Sequence, residues 1–146
     1  MPFAPSASSG QAFAFCLLTE SLSKFAFIQP PCSLKLSGFA AFPPRVIYLH
    51  IQENPALISL QTALVEHLKT DLNLVNSPGQ KRPFKPHLTV AFRDLTPANF
   101  HKAWAKFQHN PLEFQFCSPQ LTLLSHQGGR WHIHQEFNFG TSSPPS

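Results

Sequence analysis

Arg82-Pro83-Phe84-Lys85-Pro86-His87-Leu88-Thr89-Val90-Ala91-Phe92-Arg93 is the stretch on which the fold and the chemistry of this chain turn. Alternate residues of a β-strand face opposite ways, so His87 and Thr89 share one face while Leu88 and Val90 point to the other, toward a core. Proline donates no ladder hydrogen bond, which suits Pro86 to the position where such a strand begins. Imidazole is the side chain best fitted to move a proton near neutral pH. A hydroxyl two residues on can donate to a phosphate oxygen. Lys81, Arg82, Lys85 and Arg93, four of the eleven basic residues, lie between positions 81 and 93. The nearest acidic residues are Asp71 before the stretch and Asp94 just after it. The pattern suits phosphate. By itself His-x-Thr is too short to decide, because a strand histidine beside an ordinary threonine gives the same letters.

The neighbouring wording decides it. Lys85-Pro86-His87-Leu88-Thr89-Val90 resembles the second His-x-Thr-x motif of the two-histidine phosphoesterases, the 2'-5' RNA ligase family. Gly38-Phe39-Ala40-Ala41-Phe42-Pro43-Pro44-Arg45-Val46-Ile47-Tyr48-Leu49 is similar to the strand pair that precedes the long helix in that family, and Asp94-Leu95-Thr96-Pro97 leads into the helix after the motif. The resemblance spans roughly Thr19 to Phe139. It implies a bilobal, pseudo-symmetric fold with one motif per lobe, one histidine acting as base and the other as acid on a 2',3'-cyclic phosphate or related RNA end. By that likeness His87 is the catalytic acid or base and Thr89 binds the phosphate. Lys85, Arg82 and Arg93 are assigned to phosphate support from local charge. No metal or nucleotide cofactor is implied.

Only one motif is present, and the segment before Thr19 holds no histidine. The expectation is a family member lacking its front end, with activity lowered by the ~10²–10⁴-fold that one proton-transfer group contributes. His50 is the one histidine that invites consideration as a replacement. Gln52 stands where a threonine would, however, and an ordinary half-exposed strand histidine explains it; the resemblance gives it no role.

The chain has 146 residues, enough for one domain with a real core. Apolar residues make up 42%, which excludes a disordered chain. Net charge is +4, favouring an anionic partner without specifying nucleic acid. Cys16, Cys32 and Cys117 lack C-x-x-C spacing, and their odd number points to a reducing cytoplasm. No apolar run approaches the length of a membrane span, and the run Ala12–Leu18 has no basic residue ahead of it, unlike a signal peptide.

In order, residues 1–10 read as a disordered lead-in, 11–139 as a single, partial phosphoesterase-like domain, and 140–146 as a disordered tail. Phe15, Leu18, Leu22 and Phe25 recur at helical spacing over Gln11–Phe27, and Pro30-Pro31 ends that helix. Cys32 to Phe42 is a strand bulged at Gly38, Pro43-Pro44 a turn, and Arg45 to Gln52 the next strand. Asn54-Pro55 caps a helix with a Leu57, Leu60, Leu64, Leu68 stripe, and Thr96-Pro97 caps another carrying Phe100, Trp104 and Phe107. His67, His101 and His109 are given no role. Leu112, Phe114 and Phe116 alternate as a strand with those three inward. Gln127-Gly128-Gly129 turns a final hairpin, with Trp131, Ile133, Gln135 and Phe137 on one face and His132, His134 and Glu136 on the other. That His-x-His-x-Glu row has metal-ligand spacing, but no third ligand site is evident and a solvated strand face explains it.

These elements predict an α+β fold of antiparallel sheets with packed helices. The function expected is a phosphodiesterase or ligase acting on RNA ends or small cyclic-phosphate nucleotides, in the cytoplasm and without a membrane. The alternatives are a phosphate- or RNA-binding protein without turnover, a truncated product with no function of its own, and a homodimer that brings two His87 groups to one cleft.

Overall fold

In the computed structural model, residues 9–74 and 83–140 are described. They follow the predicted order: α1 (Ser9–Phe27), β1 (Cys32–Phe42), β2 (Val46–Ile51), α2 (Pro55–Leu72), β3 (His87–Ala91), α3 (Pro97–Phe107), β4 (Glu113–Ser118), β5 (Gln120–Gln127) and β6 (Arg130–Asn138). All strand pairings are antiparallel, giving the α+β architecture. The chain divides into two compact units, one built on β1 to β4 with α3, the other on α1, most of α2 and the β5–β6 hairpin. The lead-in through residue 8 and the tail from 141 fall outside the described residues.

The first unit is a four-stranded sheet in the order β3-β2-β1-β4. Its centre is the β1–β2 hairpin, closed through Pro43-Pro44 with the Arg45 N–H donating to the Phe42 carbonyl. Between Leu36 and Phe39 the β1 register slips by one residue against β2, and Gly38 there has φ of +68°. A glycine at positive φ is what such a bulge requires. α3 covers one face: Phe39 packs on Phe107, Ile47 is buried, and Phe100 is 1% exposed. Thr96 caps α3 by accepting from the Asn99 N–H at 3.2 Å. Asn54 caps α2 in the same way, accepting from the Leu57 N–H, while its side-chain amide donates to the Ser33 carbonyl.

Two expectations for this sheet fail for one reason. Leu88 and Val90 are 47% and 52% exposed, and Phe114 and Phe116 are exposed as well. β3 and β4 are the two edge strands. Alternation reports which side chains share a face, but α3 covers only the middle of this one.

The second unit has the more continuous core. Leu22, Ala26 and Phe137 are buried together, with Leu18, Leu64, Leu68, Leu121, Leu123 and Phe139 against them. This is the predicted α1 stripe meeting the α2 leucines. His67 pins the helices: its Nε2 lies 2.9 Å from the Ser21 hydroxyl and 3.0 Å from the Ser21 carbonyl, and its ring packs on Phe25. Gly140 donates to the Ala26 and Gln29 carbonyls, and a Cβ at this position would run into the Phe27 backbone.

The hairpin corrects a third expectation. Leu123 pairs with Gln135 but Leu124 pairs with Ile133, so His134 is an inserted residue. The insertion reverses the alternation. His132, opposite Ser125, and Glu136, opposite Thr122, therefore lie on opposite faces, and the His-x-His-x-Glu row does not exist as a surface. His134 instead stacks on Phe15 at 4.6 Å. Trp131 and Ile133 leave the face of the buried Phe137 and are 62% and 64% exposed. The Gly128-Gly129 turn forms as predicted, both residues at positive φ.

Candidate active site on the edge of the four-stranded sheet

β3 begins at His87, directly after Pro86, and ends at Ala91. It pairs with β2 so that His87 lies opposite His50, Leu88 opposite Leu49 and Thr89 opposite Tyr48. One further step along, Ala91 lies opposite Ile47, leaving Val90 as a bulge. Ile47 and Leu49 belong to the face that α3 covers. His50, Tyr48, His87 and Thr89 occupy the other, with Ala40 of β1 opposite Tyr48 and Phe42 beyond it.

The His87 ring is held on several sides. Its Nδ1 lies 2.6 Å from the Lys85 carbonyl. A carbonyl only accepts, so Nδ1 carries the proton in this contact, and Nε2 is the basic nitrogen of the neutral ring. Tyr48 and Phe42 meet the ring edge-on at centroid distances of 5.4 and 5.7 Å, and those two rings stack on each other at 4.7 Å. The face therefore presents a positioned imidazole, a hydroxyl two residues on, and an aromatic wall.

Thr89 and Arg93 line a common open groove of about 540 Å³ that runs from Thr89 to Leu95. His87 is not part of its lining. Lys85 supplies the carbonyl that orients His87, a role sequence reasoning did not assign. Arg82 and Lys81 fall outside the described residues. Tyr48 and Phe42 were missed because their contribution depends on sheet register. The available signal was the alternation of Tyr48 and His50 with the buried Ile47. No group of three or more His, Cys, Asp or Glu side chains gathers among the described residues. The three cysteines carry free thiols; burial chiefly, and the neighbouring Cys117 to a lesser degree, push the Cys32 thiol above its ordinary value.

Comparison with known proteins places the chain in a family. The model of the 2'-5' RNA ligase superfamily matches residues 5–130. The chain belongs to this superfamily. The match reaches nearer the N-terminus than the Thr19–Phe139 span read from the sequence. A Geobacillus thermodenitrificans protein named "Putative phosphoesterase" is 26% identical over 127 residues, covering 84% of this chain and 68% of that protein. The crystal structure of TT0787, a Thermus thermophilus protein, superposes with a TM-score of 0.59 at 17% identity, over 90% of this chain and 73% of that one. The crystal structure of a phosphoesterase gives a TM-score of 0.56 at 22% identity, over 84% of this chain and 69% of that one. At these identities the structural likeness establishes the fold of this superfamily member. No described helix is long and apolar enough to cross a membrane.

Proposed function

We propose that the chain is a phosphodiesterase of RNA ends, hydrolysing 2',3'-cyclic phosphates or related phosphodiesters by proton transfer through His87. The observation that carries this is the His87 Nδ1 contact with the Lys85 carbonyl at 2.6 Å. It fixes the ring and makes Nε2 the nitrogen that exchanges protons with a bound phosphoester. Thr89 lies on the same strand face and is assigned to a phosphate oxygen. Lys85 and Arg93 balance the phosphate charge from the strand ends, with Arg82 assigned by sequence alone. The net charge of +4 favours an anionic substrate.

The test is hydrolysis of an RNA oligonucleotide ending in a 2',3'-cyclic phosphate, by the wild type and by His87→Ala. Turnover by the wild type that falls about 10²–10⁴-fold in the variant supports the reading. A folded wild type that binds the oligonucleotide without turning it over would assign the basic stretch to RNA binding alone.

A further inference from the structure

We infer that His50 is the second proton-transfer group of this site, acting across the β2–β3 ladder from His87 on a phosphoester that both imidazoles reach. The inference rests on the phosphodiesterase reading and adds to it the residue that completes the acid–base pair.

Register is what changes the standing of His50. Read in sequence it is a strand histidine 37 positions from the motif, with glutamine rather than threonine two residues on. In the sheet it is the direct cross-strand partner of His87. Directly opposed residues share a face with Cβ atoms about 4.5–5.5 Å apart. His50 is exposed, and among the described residues no hydrogen bond or ion pair holds its ring. The His87 ring meanwhile leans on Tyr48 and Phe42, the next residues of the same face. Space continues on the far side of His50 as well. The β1–β2 register passes from Phe39 opposite Leu49 to Leu36 opposite Ile51, so His50 faces the Ser37-Gly38 bulge. A side chain added at Gly38 would meet no atom within 4 Å. Two imidazoles, one held by a carbonyl and one without a hydrogen bond, thus stand on an exposed strip of sheet.

Hydrolysis of a cyclic phosphodiester needs a proton removed from water and one delivered to the departing ribose oxygen. His87 Nε2 takes the proton as the water oxygen bonds to phosphorus. The bond from phosphorus to the ribose oxygen breaks with its electron pair on oxygen, and the His50 imidazolium protonates that oxygen. The products are a phosphomonoester and a free hydroxyl. Exchange with solvent then returns His87 to its neutral form and His50 to its protonated form.

His50→Gln and His50→Thr, both compatible with an exposed strand position, test the assignment beside His87→Ala. On the cyclic-phosphate oligonucleotide the His50 variants should lose about 10²–10⁴-fold in kcat with little change in KM. Their pH–rate profile should lose the alkaline limb, where the wild type falls as its acid deprotonates. On bis(p-nitrophenyl) phosphate, whose leaving group departs without a proton, the same variants should stay within about tenfold of wild type. A His50→Gln enzyme within about threefold of wild-type kcat on the oligonucleotide overturns the inference, and the loss in His87→Ala would then leave the phosphodiesterase reading standing. Equal losses on both substrates with the alkaline limb intact also overturn it, since they mark a structural effect. A folded wild type inactive on both substrates defeats the phosphodiesterase reading, and this inference with it.

Discussion

The two units use a strand irregularity in opposite ways. In the four-stranded unit the Ser37-Gly38 and Val90 bulges flank the polar face and leave His50 and His87 paired between them. In the helical unit the His134 insertion turns a polar side chain onto Phe15 and sends Trp131 and Ile133 outward. The first unit carries the candidate site on an edge strand whose own apolar residues, Leu88 and Val90, are half exposed. The second concentrates burial, with Leu22, Ala26 and Phe137 packed under Leu18, Leu64, Leu68 and the β5 leucines. Edge residues with few packing partners can be changed for chemistry at little cost in stability, whereas core contacts cannot.

The largest effect that would break this contrast is at His87. His87→Ala should cost about 10²–10⁴-fold in turnover of a cyclic-phosphate oligonucleotide while leaving the thermal midpoint within a few degrees of wild type. A large drop in the midpoint would mean that the edge also carries stability. Phe100→Ala should destabilise by about 3–5 kcal/mol in chemical denaturation, because it empties the space between α3 and the sheet. Gly140→Ala should cost about 1–3 kcal/mol by driving a methyl into the Phe27 backbone, with kcat unchanged. A kcat that falls with it would sharpen the comparison by coupling the helical unit to the site. Thr96→Ala should cost about 1 kcal/mol through the lost α3 cap. The smallest effect is at Cys32. Its thiol is held above the ordinary value of 9.0, so the folded state resists deprotonation more than the unfolded state does. The corresponding stability is fully present below about pH 9 and is lost as pH rises through the folded-state pKa. Melting curves across that range should decline, and Cys32→Ala should flatten the decline.

Local chemistry was legible in the sequence. Gly38 marked its bulge, Asn54 and Thr96 their caps, Gly128-Gly129 its turn, and His-x-Thr its strand, because each is fixed by residues within a turn or two. What depends on strand order was not legible. The placement of β3 and β4 at the sheet edges exposes Leu88, Val90, Phe114 and Phe116, and no short-range pattern encodes it. The His134 insertion carries neither glycine nor proline to announce it. The candidate site divides along the same line: His87 and Thr89 are a local motif, whereas the pairing of His50 with His87 and the Tyr48–Phe42 wall arise from register between distant segments.

The order of the central sheet also bears on how the chain assembles. β1 meets β2 through a turn of three residues, and β5 meets β6 through two, so both hairpins pair segments that are adjacent in sequence and need little loop closure. The β1–β4 edge is different. Gln115 reaches Ser33 across 82 positions of sequence, and β2 reaches β3 only after the whole of α2 has been traversed. Ring-closure entropy makes such pairings late events. His50 therefore sits on an early-formed hairpin and His87 on a strand that arrives afterwards. Amide exchange during refolding should protect Tyr48 ahead of Thr89, and the imidazole pair would be among the last features of the sheet to come into being.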